Sequence, residues 1–158
     1  DYRRLVARLR ATIPGVSIAT DIIVGFPGET AAQFQHTYDL LAELKLDKAH
    51  VARYSSRPFT VATRTMDDNV SQEEKERRRK ALDDLQGRIL EELNARYLGQ
   101  TVEVLVEGRN VRQKRWFGRT RTDRLVFFPA EGDWRGRLAQ VTITWTGPWS
   151  LIGEVSAD

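Results

Sequence analysis

The sequence predicts an α/β segment followed by an all-β one: part of a parallel (β/α) barrel, a long connecting helix, and a small five-stranded β-barrel of the OB-like size class. Three observations carry this. Residues 1–66 alternate helical and strand patterns with short connections, residues 67–98 repeat apolar positions at helical spacing, and from residue 99 onward the apolar period drops to that of a strand. These changes set the expected boundaries, 1–66, 67–98 and 99–158.

In chain order, Leu5, Val6, Leu9 and Ile13 share one stripe of a helix over residues 2–13, which Pro14 and Gly15 stop. A strand is expected over residues 16–24. Thr30 with Gln33 forms a capping-box pattern, and Phe34, Tyr38, Leu41 and Leu44 follow at helical spacing, so a second helix is expected over 31–45 and a second strand over 48–54. Helices alternating with apolar strands at this rhythm build parallel sheets, and two strands are a fragment of one. Ser71 and Glu74 make another capping box, after which Leu82, Leu85, Ile89, Leu93 and Tyr97 mark one face of a long helix that Gly99 ends. Its charge run, "EEKERRRK" at 73–80, reads as a solvated face. Acids and bases balance along the helix, as i,i+4 pairing requires.

Beyond Gly99, Val102, Val104 and Val106 alternate with Glu103, Leu105 and Glu107, and Val141, Ile143 and Trp145 alternate with Thr142 and Thr144. Further strands are expected over 116–121, 125–129 and 150–155. Phe127, Phe128, Trp145 and Trp149 are assigned mainly to the core of this β-barrel.

Composition narrows the functional classes. The 158 residues are 41% hydrophobic and 30% charged, which is a soluble globular makeup, and no apolar run approaches the roughly 20 residues of a bilayer crossing, so a cytoplasmic location is expected. There is no cysteine, which excludes disulfides, thiolate metal sites and cysteine-held clusters within the chain. His36 and His50 have no partner at ligand spacing, so no metal site is expected. The chain opens on Asp1 and its only methionine is Met66, so a longer polypeptide is expected. A net charge of +3 is too small for nucleic-acid binding by mass charge, which leaves the decision to charge distribution.

Two stretches carry chemistry. In "TDIIVGFPGET", residues 20–30, a strand runs into Gly25, Phe26, Pro27, Gly28 and Glu29 before a helix. Bare backbone at the carboxyl end of a parallel strand is where such folds admit ligands, with Glu29 as an acceptor for a ligand amino or hydroxyl group. A tight βα turn with an acid favouring the helix start accounts for the same residues. Asp21, an acid in an apolar strand, must be paired or face a polar cavity. In the second stretch, Arg109, Arg112, Lys114, Arg115, Arg119, Arg121 and Arg124 stand against one acid, Asp123, and are interleaved with Trp116 and Phe117. Guanidinium forks reach phosphates and exposed rings stack on unpaired bases, so this excess favours RNA over a loop merely kept soluble by charge.

"DIIVGFPGET" resembles the late-strand motif of radical S-adenosylmethionine enzymes, and "YSSRPFTVA", residues 54–62, is similar to the segment after the sixth barrel strand in their methylthiotransferase branch. Phe59 stands where that family usually has glycine, and phenylalanine, unlike glycine, resists positive φ. "YLGQTVEVLVEG", "GRTRTDRLVFF" and "TGPWSLIGEV" resemble a TRAM domain, the small RNA-binding β-barrel appended to these enzymes. The resemblance implies that residues 1–66 are the late part of a radical S-adenosylmethionine barrel. Asp21, Gly25, Pro27, Gly28, Glu29, Tyr54 and Ser55 would border the S-adenosylmethionine site, with Arg109, Arg112, Lys114, Arg115, Trp116, Arg119, Arg121 and Arg124 on RNA.

Within the family, "RTRTDRLVFF" and "GPWSLIGEV" resemble most the branch that adds a methylthio group to isopentenylated adenosine beside the tRNA anticodon. That branch implies the tRNA anticodon arm as partner, and S-adenosylmethionine with two 4Fe-4S clusters as cofactors of the full-length protein. The cluster cysteines are absent, so no catalytic residue is expected in this chain and no cofactor is expected to be retained by it alone. Two alternatives stand beside this: the branch acting on a ribosomal-protein aspartate, and a stand-alone RNA-binding module. Unpaired strand edges further imply self-association, or pairing with the missing N-terminal part of the same polypeptide.

Overall fold

The computed structural model describes residues 1–155, which fall into two compact units. The first comprises Asp1–Thr12 with Ile18–Ile89, and the second Ile13–Ser17 with the chain from Leu90 onward.

In the first unit, helix α1 (Tyr2–Thr12) precedes strand β1 (Ala19–Val24), helix α2 (Ala31–Leu44), strand β2 (Lys48–Arg53), helix α3 (Val61–Thr65) and most of helix α4 (Gln72–Ala95). Strands β1 and β2 pair in parallel from Ala19 opposite Lys48 to Val24 opposite Arg53. The expected strand over 16–24 starts only at Ala19. Val16 N–H donates into a turn at the Ile13 carbonyl, and Ile18 N–H donates to the Asp47 side chain, so neither joins a ladder. Helix α2 begins with the full capping box: the Thr30 hydroxyl accepts from Gln33 N–H and the Gln33 side chain accepts from Thr30 N–H. Val6, Val24, Phe34, Leu41, Leu46, Leu82, Leu85 and Ile89 are buried, while Leu5 and Ile13 of the α1 stripe stay exposed. Helix α3, absent from the sequence reading, is one short turn capped by Thr60. Phe59 before it holds a φ of 69° with its ring in solvent, so phenylalanine does occupy the left-handed conformation it was expected to resist.

The second unit is a closed barrel, strand order β3-β4-β5-β7-β6, built from β3 (Thr101–Asn110), β4 (Arg115–Thr120), β5 (Leu125–Phe128), β6 (Leu138–Thr146) and β7 (Leu151–Val155). Every pair is antiparallel except β5 with β7. The expected five strands and their closure are therefore present, and closure leaves no free edge in the ring. Inward positions at period two supply the core: Val104, Val106, Trp116, Val126, Phe128, Ala139, Val141, Ile143 and Leu151. At the C-terminal end of α4 the buried Asn94 donates to the Gly147 and Pro148 carbonyls, fixing the β6–β7 loop. Two aromatic assignments are corrected. A register shift between Ile143 and Trp145 breaks the alternation on β6, so Trp145 turns outward at 49% exposure, and Trp149 sits in the loop at 63%.

Candidate nucleic-acid interface and strand-end turn

Two sites emerge, one in each unit. At the end of β1, Gly25 takes a φ of 69°, and Phe26 to Glu29 close a turn in which Glu29 N–H donates to the Phe26 carbonyl at 2.9 Å. Pro27 and Gly28, the latter at a φ of 82°, occupy the second and third positions, the residue types that a type II turn requires there. The Glu29 carboxylate folds back: Oε2 accepts from Gly25 N–H at 2.6 Å and from the Arg78 guanidinium at 2.6 Å. Gly28 N–H donates to the Asn69 side chain, Tyr54 N–H donates to the Val24 carbonyl, and the Phe26 and Tyr54 rings meet edge to face at 5.1 Å.

Helix α4 supplies the partners. Lys75 is 0% exposed and Arg78 only 4%, which corrects the reading of this charge run as wholly solvated. The Lys75 ammonium donates to both Asp68 oxygens at 2.6 Å and lies 5.3 Å from the Tyr54 ring centre. Its alkyl chain occupies the space beside Gly25, where a Cβ would come within 2.3 Å of the Lys75 Cγ. Arg78 bonds Glu29 and Glu74 and stacks over Phe34 at 5.5 Å. Hydrogen bonds from Arg77 and Arg78 hold the Glu74 carboxyl down at about 2. Glu74 thus accepts from these arginines with its side chain, while its backbone N–H still donates to the Ser71 cap. Elsewhere on α4 the expected short-range pairs form, Lys80 with Asp84 and Arg79 with Asp83. The sequence held a signal for the buried pair. Lys75 and Arg78 lie seven residues before Leu82 and Leu85, so they continue the apolar stripe.

In the second unit, parity sorts the basic stretch. Trp116 and Gly118 point into the barrel, and Arg115, Phe117 and Arg119 point out. Trp116, expected to stack on a base, is buried, with its indole N–H donating to the Ala130 carbonyl. Phe117 is half-buried outside, covers Gly108 and meets Phe127 at 6.1 Å, a cross-strand pair absent from the sequence reading. Arg124, expected on RNA, is buried as well. The single-signed charge of the stretch is local to the sequence only. Antiparallel pairing brings β3 alongside, so Arg119 meets Glu107 at 3.6 Å and Arg121 meets Glu103 at 3.1 Å, while Asp123 of the β4–β5 turn pairs with Arg119 at 3.0 Å.

Four cations remain around the β3–β4 hairpin. Arg109, Arg112, Lys114 and Arg115 form no ion pair among the described residues, and Arg109 instead stacks over Trp116 at 5.5 Å. Arg109, Arg112 and Lys114 are exposed, with Lys114 at a φ of 53° shaping the hairpin end. The Arg121 pair is 85% exposed on the arginine side, and such pairs are worth about 0–1 kcal/mol, so a phosphate can displace Glu103 at little cost. Of the residues expected near a cofactor, Gly25, Pro27, Gly28, Glu29 and Tyr54 gather at the turn. Ser55 follows them in an exposed segment, and Asp21 is exposed on β1, opposite His50 in register.

Residues 95–156 match the TRAM domain family. Over 158 residues the chain is 52% identical to the tRNA-2-methylthio-N(6)-dimethylallyladenosine synthase of Roseiflexus sp. (strain RS-1), covering 98% of this chain and 33% of that protein. The enzyme of the same name from Chloroflexus aurantiacus is 50% identical, over 99% of this chain and 34% of its own length, and that from Herpetosiphon aurantiacus 46%, over 99% and 37%. The chain spans about a third of the length of these curated relatives. Residues of its second unit thus match the TRAM domain family, and nearly the whole chain is similar to one portion of these synthases.

Proposed function

We propose that the chain is the C-terminal part of a cytoplasmic tRNA methylthiotransferase that adds a methylthio group to isopentenylated adenosine beside the anticodon. The β-barrel grips the anticodon arm, and residues 1–66 contribute late units of the catalytic barrel, joined through the helix of 67–98 to the TRAM domain of 99–158. One observation carries this: cations with no ion pair among the described residues crowd the hairpin of an RNA-binding type of barrel, in a chain about half identical along its length to enzymes named for a tRNA product. Among the described residues no helix is long and apolar enough to cross a membrane.

The cofactors divide by fit. A 4Fe-4S cluster has no cysteine to hold it here, and no group of histidines and carboxylates at metal-binding distance occurs among the described residues, so its ligands belong to the rest of the longer protein. The strand-end turn does fit one border of an S-adenosylmethionine site. Glu29 Oε1 has no partner among the described residues, and Gly28 has open space where a side chain would stand. When bound, S-adenosylmethionine supplies the methyl group and the radical chemistry. The turn's part is to orient it with Glu29 and bare backbone, while the hairpin holds the phosphates that position the target base. With only two strands in its sheet, the first unit is also expected to self-associate or to pair with the missing N-terminal portion.

Removing the unpaired cations tests the RNA contact. Arg112→Ala/Lys114→Ala/Arg115→Ala is expected to weaken binding of an anticodon stem-loop RNA at least about tenfold, since each lost phosphate contact reduces both affinity and its salt dependence. Unchanged affinity in the folded triple variant would remove the hairpin from the interface. Tighter binding to a ribosomal-protein loop peptide than to the RNA would favour the branch acting on protein.

A further inference from the structure

The strand-end turn is not self-supporting. It contains two glycines at positive φ and one proline, and its only internal side-chain bond is from Gly25 N–H to Glu29. Asn69 accepts from Gly28 N–H and the Tyr54 ring packs against Phe26, and the charged support comes from helix α4, some fifty residues later. Arg78 donates to Glu29 twice, once to the backbone carbonyl at 3.0 Å and once to Oε2 at 2.6 Å. Glu74 accepts a hydrogen bond from Arg78 Nε–H at 2.7 Å, and Phe34 lies beneath the guanidinium, so both hold the fork against Glu29. Lys75 fills the volume beside Gly25 and is anchored by both oxygens of Asp68. Two buried cations are an expensive way to pack a helix on a strand, because burying a charge costs several kcal/mol unless it is paired. The Arg78 guanidinium is directed at Glu29, and the Lys75 alkyl chain lies against Gly25 while its ammonium reaches Asp68.

We propose that Arg78 and Lys75 are positioning residues for the Gly25–Glu29 turn, with Arg78 engaging Glu29 Oε2 so that Oε1 stays free as the acceptor for the ammonium or a hydroxyl of the bound small molecule. That molecule is S-adenosylmethionine on the reading above, on which this inference rests. Arg78 does not touch the ligand. It fixes the carboxylate that does, and lysine cannot replace it because one ammonium cannot bond Glu74, the Glu29 carbonyl and Oε2 in the plane of a fork.

Two readouts test this. In the present chain, Arg78→Ala is expected to speed hydrogen exchange at the Gly25 amide about tenfold or more, with exchange in β3 unchanged. In the longer protein, equilibrium binding of S-adenosylmethionine without reductant is expected to weaken at least about tenfold in both Arg78→Ala and Glu29→Ala. The double variant should be no weaker than either single one, and Arg78→Lys should restore less than half of the loss. If Glu29→Ala weakens binding while a folded Arg78→Ala does not, the positioning role is wrong and the ligand site stands. If neither Glu29→Ala nor Arg78→Ala changes the affinity, or the wild type does not bind, the ligand reading fails and takes the ligand half of the proposal with it. Unaltered Gly25 exchange in Arg78→Ala overturns the support of the turn itself.

Discussion

Gly118→Ala is expected to destabilise the β-barrel by about 3 kcal/mol or more, at the upper end of what overpacking costs. Gly118 lies on β4 opposite Val106, and a Cβ there would stand 2.1 Å from the Leu105 carbonyl oxygen and 2.9 Å from a Val104 methyl carbon. The first obstacle is backbone, so no side-chain rotation relieves it. Strands β3 and β4 would have to separate, and in a closed ring that strains every other pairing. A domain of this size has roughly 3–9 kcal/mol of stability to lose, so the variant should melt well below the wild type or fail to fold. Gly108→Ala is the control. There the Cβ meets only the tip of the Phe117 ring at 2.9 Å, which can swing aside, and the expected cost is about 1 kcal/mol. Urea titrations followed by tryptophan fluorescence separate the two, and equal costs would mean that the β3–β4 approach is looser than described.

Asp68→Ala is expected to cost the first unit about 3 kcal/mol. Lys75 is fully buried and its ammonium has Asp68 as its only carboxylate partner among the described residues, so removing Asp68 leaves a charge with a Tyr54 ring face but no counter-ion. Breaking one side of a buried pair is costlier than the pair's net worth, because the survivor keeps its desolvation penalty. Asp68→Ala/Lys75→Met should therefore recover most of the loss, since methionine fills the volume beside Gly25 without a charge. A double variant no more stable than Asp68→Ala would show that Lys75 contributes through packing and not through its charge.

Much of this architecture is written in local pattern. The Thr30–Gln33 capping box, the alternation of Val102, Val104 and Val106, and the Phe34–Leu41 spacing each act within a few residues, and each element stands where its pattern predicts. What the sequence could not display was pairing between distant strands. Glu103 and Glu107 reach Arg121 and Arg119 only through the β3–β4 register, so a stretch with a single acid gains two more in three dimensions. The aromatic assignments inverted for a related reason. Strand β4 has large residues at both parities, and only its register with the valines of β3 turns Trp116 inward and Phe117 outward. On β6 one irregularity after Ile143 reverses the direction of Trp145. At the strand-end turn the glycines and Glu29 were visible as a motif, whereas the helix that restrains them begins more than forty residues later.

The measurement closest to the centre of this account is the affinity of an anticodon stem-loop RNA for the chain across a salt series. With Arg109, Arg112, Lys114 and Arg115 free of carboxylates among the described residues, the logarithm of affinity should fall against the logarithm of salt with a slope of about −2 to −4, at roughly 0.7–0.9 per phosphate neutralised. A flat response, with affinity the same at low and high salt, would contradict the hairpin as an RNA grip.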